Sequence, residues 1–282
     1  MTKGNFQKKP FGEDRTGIRR KRILFSLGNL GGGGAERVIL NLLRHLDRSK
    51  FELHLSVVHH FGNFIDLVPE DVAVHDLKAF RVRKSFLPFI CLLRRLQPDI
   101  IFSTLGYLNL AVILMKPFFP RQTKLFIRET IIVSENLRDL PFSWLWKGLY
   151  RLFYNRAEAI VCLCGTMMED LAEHFKVSSG KMIRVYNPVD VETVRRQAGL
   201  GENPFPSFGS GPHVVAAGRL NFQKGFDLLI QAFPHLLAKK PGSRLWILGQ
   251  GELEAVLKEL INRMGLEGKA TLVGFQQNPV LW

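Results

Sequence analysis

Short apolar runs alternate with longer amphipathic segments from Arg22 onward, a pattern typical of βαβ units and a parallel sheet. The predicted strands of the first region are the runs RILFSLG, FELHLSVV, DIIFSTL, KLFIRET, AIVCLCG and MIRVYNP. Helical patterns such as AERVILNLLRHL and TMMEDLAEHF lie between them, and Thr166 with Glu169 has the spacing of a capping box. The pattern predicts an N-terminal Rossmann-like α/β domain, doubly wound, over residues 22–186.

A stretch rich in Pro, Gly and Ser follows and predicts a linker, with room for one short helix, over residues 187–211. The strand patterns HVVAAGRL, RLWILGQG and ATLVGF then alternate with two helical patterns as far as Trp282. Three strands and two helices make half of a Rossmann-like domain, so we expect a partial second domain over residues 212–282 with an exposed sheet edge. Residues 1–21 are basic and polar, without the apolar core of a secretory signal, and predict a flexible tail.

Composition supports two domains with sizeable cores, because the chain has 282 residues and is 46% hydrophobic. Lys and Arg number 39 against 25 Asp and Glu, a net charge of +14 that favours anionic partners, although solubility alone also explains it. No apolar run reaches the length of a membrane span. Cys91, Cys162 and Cys164 fit small core residues in a reducing compartment, two of them on one strand, and no metal site is expected.

Four consecutive glycines, residues 31–34, separate the first predicted strand from the first predicted helix. Glycine permits positive φ and lets a ligand touch the backbone, and a helix N-terminus favours an anion. The spacing matches neither G-x-G-x-x-G nor an ATPase loop, and the second strand ends in VVHH without the carboxylate that a nicotinamide ribose needs. A dinucleotide oxidoreductase is therefore disfavoured, while phosphate binding and a tight turn under close packing both remain open.

Arg219 and Lys224 lie five positions apart in a second strand-to-helix loop. An arginine fork and a lysine point charge suit a diphosphate whose negative charge grows as its bond to carbon breaks, although two solvated loop cations are the alternative. Gly249 and Gly251 expose backbone at a third such turn. Ligands of open α/β sheets bind beyond the carboxyl ends of the strands, so two such domains facing each other would form a cleft for a diphosphate-bearing ligand.

Five segments carry a resemblance to a known family: GNLGGGGAERVILNL, VYNPVD, GRLNFQKGFDLLIQAF, LWILGQGELEAVLKELI and LVGFQQNP. Their order and spacing resemble the glycogen-synthase-like, group 1 retaining glycosyltransferases of the GT-B fold, over nearly all of residues 22–282. The resemblance implies two Rossmann-like domains facing a cleft. It also implies transfer of a sugar from a nucleotide diphosphate sugar, with a UDP-sugar favoured, to an acceptor hydroxyl with retained configuration, no required metal and no other cofactor.

The same resemblance assigns site residues. It makes Arg219 and Lys224 the catalytic cations that bind the diphosphate. The donor contacts it implies are Gly32, Gly33, Gly34, Gly218, Gly249, Gly251, Phe275 and Asn278. Arg128 and Glu129 stand where many relatives have a histidine, and with Asn109 they are assigned to the acceptor side. The paired glutamates of the family lie beyond Trp282, so we expect a C-terminally truncated member; a non-catalytic remnant that only binds, and a nucleotide-sugar epimerase, are the alternatives.

Aromatic residues and cations alternate in residues 140–159, where the aromatics are Trp144, Trp146, Tyr150, Phe153 and Tyr154. This composition favours the headgroup zone of an anionic bilayer and equally fits a helix whose apolar face is core. With the basic segment 81–95 it predicts a cytoplasmic protein attached peripherally to the inner face of the cytoplasmic membrane. The predicted acceptor there is a glycan or a lipid-linked glycan of cell-surface polysaccharide or lipopolysaccharide assembly. No RNA-binding module appears, so no nucleic-acid partner is expected.

Overall fold

The computed structural model describes residues 19–138, 140–201, 205, 211–276 and 278–282. It divides the chain into two compact units, Met1–Val189 and Asp190–Trp282, and the boundary falls inside the predicted linker. Most of the predicted tail lies outside the described residues. Lys21, the last residue of that prediction, already belongs to the first strand.

The first unit is an α/β unit in which the described residues form one parallel sheet of seven strands, in the order β3-β2-β1-β4-β5-β6-β7. The strands are β1 (Lys21–Leu27), β2 (Phe51–Val57), β3 (Ala73–Asp76), β4 (Ile100–Thr104), β5 (Lys124–Arg128), β6 (Ala159–Cys162) and β7 (Met182–Arg184). The helices described in this unit are α1 (Gly34–His45), α2 (Phe86–Leu96), α3 (Gly106–Leu114), α4 (Val133–Arg138), α5 (Ser143–Phe153) and α6 (Gly165–Phe175). The predicted α/β class is confirmed.

Strand β1 shows why the central strands read as continuous apolar runs. Ile23, Phe25 and Leu27 are buried in the core on one face of the sheet, together with Ile39 of α1. Leu24 belongs to the core on the opposite face. Because helices cover both faces of a parallel sheet, the positions of β1 from Ile23 to Leu27 are all buried and the polar alternation of an exposed strand is lost.

Strand β3 escaped the sequence pattern. It pairs with β2 at the edge of the sheet, in register from His54 opposite Ala73 to Val57 opposite Asp76. The segment has only four residues, AVHD, and most of them are exposed. It therefore lacks the long apolar run by which a buried strand is recognised in a sequence. Pairing with β2 was therefore decided by the tertiary structure.

Three predictions at or near the cysteines are wrong. Strand β6 ends at Cys162, and Cys164 instead precedes α6 as its N-terminal cap, without a side-chain hydrogen bond. Helix α6 thus begins at Gly165, one residue before Thr166, and the predicted capping box does not form. Cys91 is exposed on α2 and is not a core residue.

The second unit contains, in its described part, three parallel strands in the order β10-β9-β8. The strands are β8 (His213–Ala217), β9 (Arg244–Leu248) and β10 (Ala270–Gly274), and the helices are α7 (Val191–Ala198), α8 (Phe226–Lys239) and α9 (Glu254–Arg263). Helix α7 is the short helix expected in the linker, and the Asp190 carboxylate caps it by accepting from the Thr193 amide at 2.9 Å. Strand β8 leaves Val215 exposed at the edge of the sheet.

Candidate functional site

The glycine run forms a tight connection between β1 and α1. Leu30 anchors it, because the amide of Leu30 donates to the carbonyl of Phe61 at 2.9 Å and its side chain is fully buried. Gly32 has φ of +100°, a conformation that favours glycine. Gly33 caps α1 in an extended conformation with no side-chain hydrogen bond to the helix amides. The first turn of α1 therefore presents backbone amides and the positive end of the helix dipole.

Side chains lie close to this loop. A Cβ on Gly33 would be 2.5 Å from Oε2 of Glu36, whereas a Cβ on Gly34 would meet nothing within 4 Å. A Cβ on Gly28 would be 2.6 Å from the Tyr107 hydroxyl oxygen. Burial, and then the Glu36 carboxylate, raise the pKa of Tyr107. Glu36 thus turns back over its own helix N-terminus, where an anionic group is electrostatically favoured.

Arg128 lies at the carboxyl end of β5, next to Thr104 at the end of β4. Its Nη1 donates to Thr104 Oγ1 at 3.0 Å and its Nη2 donates to Asn187 Oδ1 at 2.6 Å. The residue is only 3% exposed. Burial lowers the pKa of the guanidinium and the neighbouring Glu129 raises it. Because arginine keeps its proton in proteins, the structure holds a positive charge beneath the carboxyl edge of the sheet.

Glu129 follows Arg128 and is 1% exposed. Its Oε1 accepts from Asn109 Nδ2 at 3.1 Å and from the Tyr154 hydroxyl. Its Oε2 has no hydrogen-bond partner among the described residues. A Cβ on Gly106 would meet the Tyr150 hydroxyl oxygen at 2.5 Å and Oε2 of Glu129 at 3.3 Å, so only glycine fits beside the carboxyl group. Burial outweighs these hydrogen bonds and raises the pKa of Glu129 to about 7.

These positions change the meaning of two predicted acceptor contacts. Asn109 is fully buried on α3 and donates to the carbonyl of Arg128 at 2.9 Å as well as to Glu129. Asn109 and Glu129 therefore lie under the surface and support Arg128, and their predicted acceptor contact stays a prediction. Thr104 and Asn187 were missed by sequence reasoning, although Asn187 belongs to the VYNPVD segment that carried the resemblance.

Backbone strain marks the same edge. Leu105, between β4 and α3, has φ of 82° and ψ of 120°, which a residue with a Cβ rarely adopts. Such a conformation costs about 1–3 kcal/mol and persists only where the surrounding structure imposes it. Here the carbonyl of Leu105 accepts from the Asn109 amide at 2.8 Å, which fixes the first turn of α3 beside Arg128.

In the second unit, the turns after β8 and β9 pack backbone against backbone. The amide of Leu220 donates to the carbonyl of Gln250 at 3.0 Å. A Cβ on Gly249, which has φ of +133°, would lie 1.9 Å from the carbonyl oxygen of Gly218, and a Cβ on Gly251 would lie 2.3 Å from that of Leu220. Close packing of the turns is therefore sufficient to require glycine at both positions, and their predicted donor contact stays a prediction.

Arg219 and Lys224 follow β8, and both side chains are exposed. The aliphatic stem of Lys224 passes beside Gly218, whose Cβ would be 3.4 Å from its Cδ. Within the described residues, neither cation has a carboxylate oxygen within 4.0 Å. The turn at the carboxyl end of β8 thus carries two positive charges that no described acidic side chain neutralises.

The last two predicted donor residues differ in their availability. Phe275 is exposed directly after β10. Asn278 uses its amide locally, because Oδ1 accepts from the Val280 amide at 3.3 Å and Nδ2 donates to the Gln197 carbonyl at 3.1 Å. Asn278 therefore joins the short 3-10 helix Pro279–Leu281 to α7, and this structural role accounts for it.

The aromatic segment divides between core and surface. Tyr150 and Tyr154, four residues apart, are buried, with ring centroids 4.3 Å apart. Phe142 is 70% exposed and Trp144 is 72% exposed. One face of α5 thus belongs to the core around Glu129, as the core reading predicts. The preceding turn and the first residues of α5 present aromatic rings to solvent, and the membrane reading stays a prediction.

Neither a metal group nor a membrane span is found among the described residues. No set of three or more His, Cys, Asp or Glu side chains there is arranged to hold a metal ion. No helix in that part of the chain has the length and apolar character needed to cross a bilayer.

Parallel α/β units with glycine-rich turns and cations at the carboxyl ends of their strands define the broad class of doubly wound proteins that bind ligands at that edge. Family comparison is more specific. Residues 32–193 match Glycosyltransferase Family 4, and residues 203–281 match Glycosyl transferases group 1. The chain belongs to the group 1 glycosyltransferases, which confirms the family resemblance found in its motifs.

Individual relatives support the same family. The chain is 32% identical over 263 residues to the N-acetylgalactosamine-N,N'-diacetylbacillosaminyl-diphospho-undecaprenol 4-alpha-N-acetylgalactosaminyltransferase of Campylobacter jejuni, covering 89% of this chain and 68% of that protein. It is 28% identical over 212 residues to an uncharacterized glycosyltransferase of Methanocaldococcus jannaschii, covering 71% of this chain and 51% of that protein. The chain is thus shorter than both relatives.

Solved structures give the same fold. A crystal structure of HepE from Anabaena, in complex with UDP and glucose, matches with a TM-score of 0.65 at 18% identity, over 93% of this chain and 72% of that one. At this identity the likeness supports the GT-B-type fold alone.

Proposed function

We propose that this protein transfers a sugar from a nucleotide diphosphate sugar to a hydroxyl of a glycan or lipid-linked acceptor, with retention of anomeric configuration, in cell-surface polysaccharide or glycolipid assembly. The observation that carries the proposal is the pair Arg219 and Lys224, two exposed cations at the carboxyl end of β8 without a carboxylate partner among the described residues. A UDP-sugar is the favoured donor, because UDP occupies the structurally similar HepE.

The chemistry suits these cations. The bond between the anomeric carbon and the diphosphate oxygen breaks, and its electron pair stays on the diphosphate. The acceptor oxygen forms the new bond to the same carbon, and the acceptor hydroxyl proton passes to the departing diphosphate. Negative charge therefore grows on the leaving group, where a fixed guanidinium and ammonium stabilise the transition state more than the ground state. No metal and no further cofactor enters this scheme.

The decisive experiment compares Arg219→Ala and Lys224→Ala with Arg263→Ala and Lys258→Ala. The controls remove the same charges from exposed positions on α9 of the same unit. Calorimetry with UDP and transfer assays with a panel of UDP-sugars are the measurements. Loss of one transition-state contact lowers kcat by about 10²–10³, so we expect that loss in the first pair and unchanged turnover in the controls.

Each contrary outcome has a definite meaning. Turnover retained by either variant of the first pair would remove that residue from the diphosphate site. UDP binding without transfer by the native chain would assign a binding role instead of catalysis. Conversion of the sugar nucleotide without any acceptor would indicate an epimerase.

We also propose peripheral attachment to an anionic membrane surface on the cytoplasmic side. The docking surface consists of Phe142, Trp144 and Leu152, which are 66–72% exposed, together with the cations Lys147 and Arg151. Exposed aromatic rings beside cations suit the headgroup region of acidic lipids. Such attachment would bring the protein to a lipid-linked acceptor, and the named acceptor of the Campylobacter relative is a diphospho-undecaprenol.

Vesicle sedimentation tests this attachment. The native chain should bind vesicles with a third of phosphatidylglycerol better than vesicles of phosphatidylcholine alone, and Leu152→Ser should weaken binding. Leu228→Ser is the matched control, because Leu228 is also 66% exposed but lies on α8 in the second unit. Equal binding to the two lipid compositions, or equal effects of the two substitutions, would contradict the proposal.

A further inference from the structure

The charge of Arg128 is not balanced by the residues around it. Both of its terminal nitrogens donate to neutral oxygens, those of Thr104 and Asn187. Among the residues that the structure describes, no carboxylate oxygen lies within 4.0 Å of the guanidinium. Buried charges are normally paired, because removing an ion from water without a counter-ion is costly. A buried cation with neutral neighbours is therefore a place where an anion is favoured.

The neighbouring carboxyl group does not fill this role. Glu129 directs Oε1 to Asn109 and Tyr154, on the side of α3 and α5. Its burial keeps a substantial fraction of the group protonated near neutral pH, since its pKa is about 7. Glu129 thus holds the strand end that carries Arg128, and it leaves the positive charge largely uncompensated.

Access to the guanidinium runs past Asn187. Thr104 is fully buried beneath Arg128, whereas Asn187, which accepts from Nη2, is exposed. An amide at a surface position can move aside for a stronger acceptor, because a charged oxygen forms a shorter and stronger hydrogen bond with guanidinium than a neutral one. The exposed side of Arg128 is therefore the side from which an oxyanion can approach.

We propose that Arg128 binds an oxyanion of the acceptor, a phosphate or a carboxylate group, which replaces the Asn187 amide as its partner. This inference rests on the proposed function and names a chemical requirement for the acceptor: it carries a negative charge close to the hydroxyl that receives the sugar. The donor diphosphate already has candidate cations in Arg219 and Lys224 of the second unit, so Arg128 in the first unit is available for the acceptor.

The test measures binding of small probes by calorimetry, without nucleotide present. Geranyl diphosphate represents a lipid diphosphate, glucuronate represents an acidic sugar, and methyl glucoside is the neutral reference. The native chain should bind one of the two anions more tightly than methyl glucoside, and the anion preferred identifies the source of the charge. Arg128→Gln should lower that affinity by about tenfold to a hundredfold, the value of a charged hydrogen bond. Arg121→Gln, at an exposed position of the same unit, should leave it unchanged.

A second variant separates binding from folding. Asn187→Asp keeps the shape of the side chain and its hydrogen bond to Nη2, and supplies Arg128 with a built-in counter-ion. We expect it to raise the melting temperature and to weaken binding of the anionic probe by about tenfold or more, because the site is already neutralised. A purely structural Arg128 would give the gain in stability without any loss of probe binding, and that result would overturn the proposal even if Arg128→Gln does not fold.

UDP binding distinguishes this proposal from the proposed function. Native chain that binds an anionic probe but not UDP would support the Arg128 site and count against the assigned donor. UDP affinity that falls in Arg128→Gln by the same factor as probe affinity would place Arg128 on the donor and overturn the acceptor assignment. Equal affinity of the native chain for the anions and methyl glucoside would also overturn it.

Discussion

Glu129 makes the stability of the first unit depend on pH in a direction opposite to that of most carboxyl groups. A carboxyl group that is ion-paired in the folded state usually has a lowered pKa and stabilises the protein above that value. Glu129 is instead buried without a salt bridge to any described residue, and burial raises its pKa to about 7. The folded protein therefore holds this proton more tightly than the unfolded chain does.

The size of the effect follows from the two values. The carboxyl group has a pKa of 4.5 when solvated and about 7 in the folded protein. A pKa difference of one corresponds to about 1.4 kcal/mol, so the protonated Glu129 contributes about 3 kcal/mol to the free energy of unfolding. This stabilisation is fully present below pH 4.5 and is lost as the pH rises through about 7. The free energy of unfolding should thus fall over this pH window by about as much as it does when a large core side chain is truncated to alanine.

Glu129→Gln removes the titration while keeping the local contacts. The Gln oxygen can accept from Asn109 and Tyr154 as Oε1 of Glu129 does. Its neutral NH₂ takes the place of Oε2, which has no hydrogen-bond partner among the described residues. The variant should gain about 3 kcal/mol relative to the native chain between pH 4.5 and pH 8.

Urea unfolding followed by circular dichroism at several pH values measures this difference directly, because titrations common to both proteins cancel. The control is Glu158→Gln, at an exposed position just before β6. The difference in unfolding free energy between this variant and the native chain should change far less with pH, because an exposed carboxyl group is solvated in both the folded and the unfolded state. A difference in unfolding free energy between Glu129→Gln and the native chain that stays constant with pH would refute the reasoning. A variant that loses stability relative to the native chain as the pH rises would refute it too.

Two further predictions concern the backbone. Gly249→Ala should destabilise the second unit by about 3 kcal/mol or more, because φ is +133° and the new Cβ would lie 1.9 Å from the Gly218 carbonyl oxygen. The control Gly265→Ala, at φ of +64° with nothing within 4 Å of the new Cβ, should cost about 1 kcal/mol. Equal losses of the two variants in urea unfolding would contradict the packing argument. Lys176→Gly should raise the melting temperature, with a gain of about 0.5–1 kcal/mol, because Lys176 ends α6 at φ of 57°; an unchanged or lower value would show that the lysine makes a compensating contact.

Much of the fold follows from local patterns. The apolar runs that became β1, β4 and β5 are buried on both faces, so their sequences carry a strong signal whatever their neighbours are. The motif around Arg219 and Lys224 likewise lies within one strand, turn and helix, and its spacing is visible in the sequence. Such short-range features identified the fold class and the family.

Other features depend on pairing across the chain. The edge strand β3 exists because β2 offers hydrogen bonds, and the sequence AVHD alone does not specify it. Glycines at positions 249 and 251 read as ligand contacts in the sequence, whereas close approach of two turns is enough to require them. Local sequence does not encode the distance between separate turns.

The sequence by itself determined a parallel α/β architecture, because hydrophobic periodicity is a local property of the chain. The resemblance of its motifs indicated the group 1 glycosyltransferases, a family that the comparisons confirm. The tertiary structure decided which polar residues are reachable. It placed Asn109 and Glu129 beneath the sheet edge, put Tyr150 and Tyr154 in the core, and left Arg128 beside exposed Asn187. The reason is physical: burial and pairing of charges arise from residues far apart in the chain, so they set electrostatics only once the chain has folded.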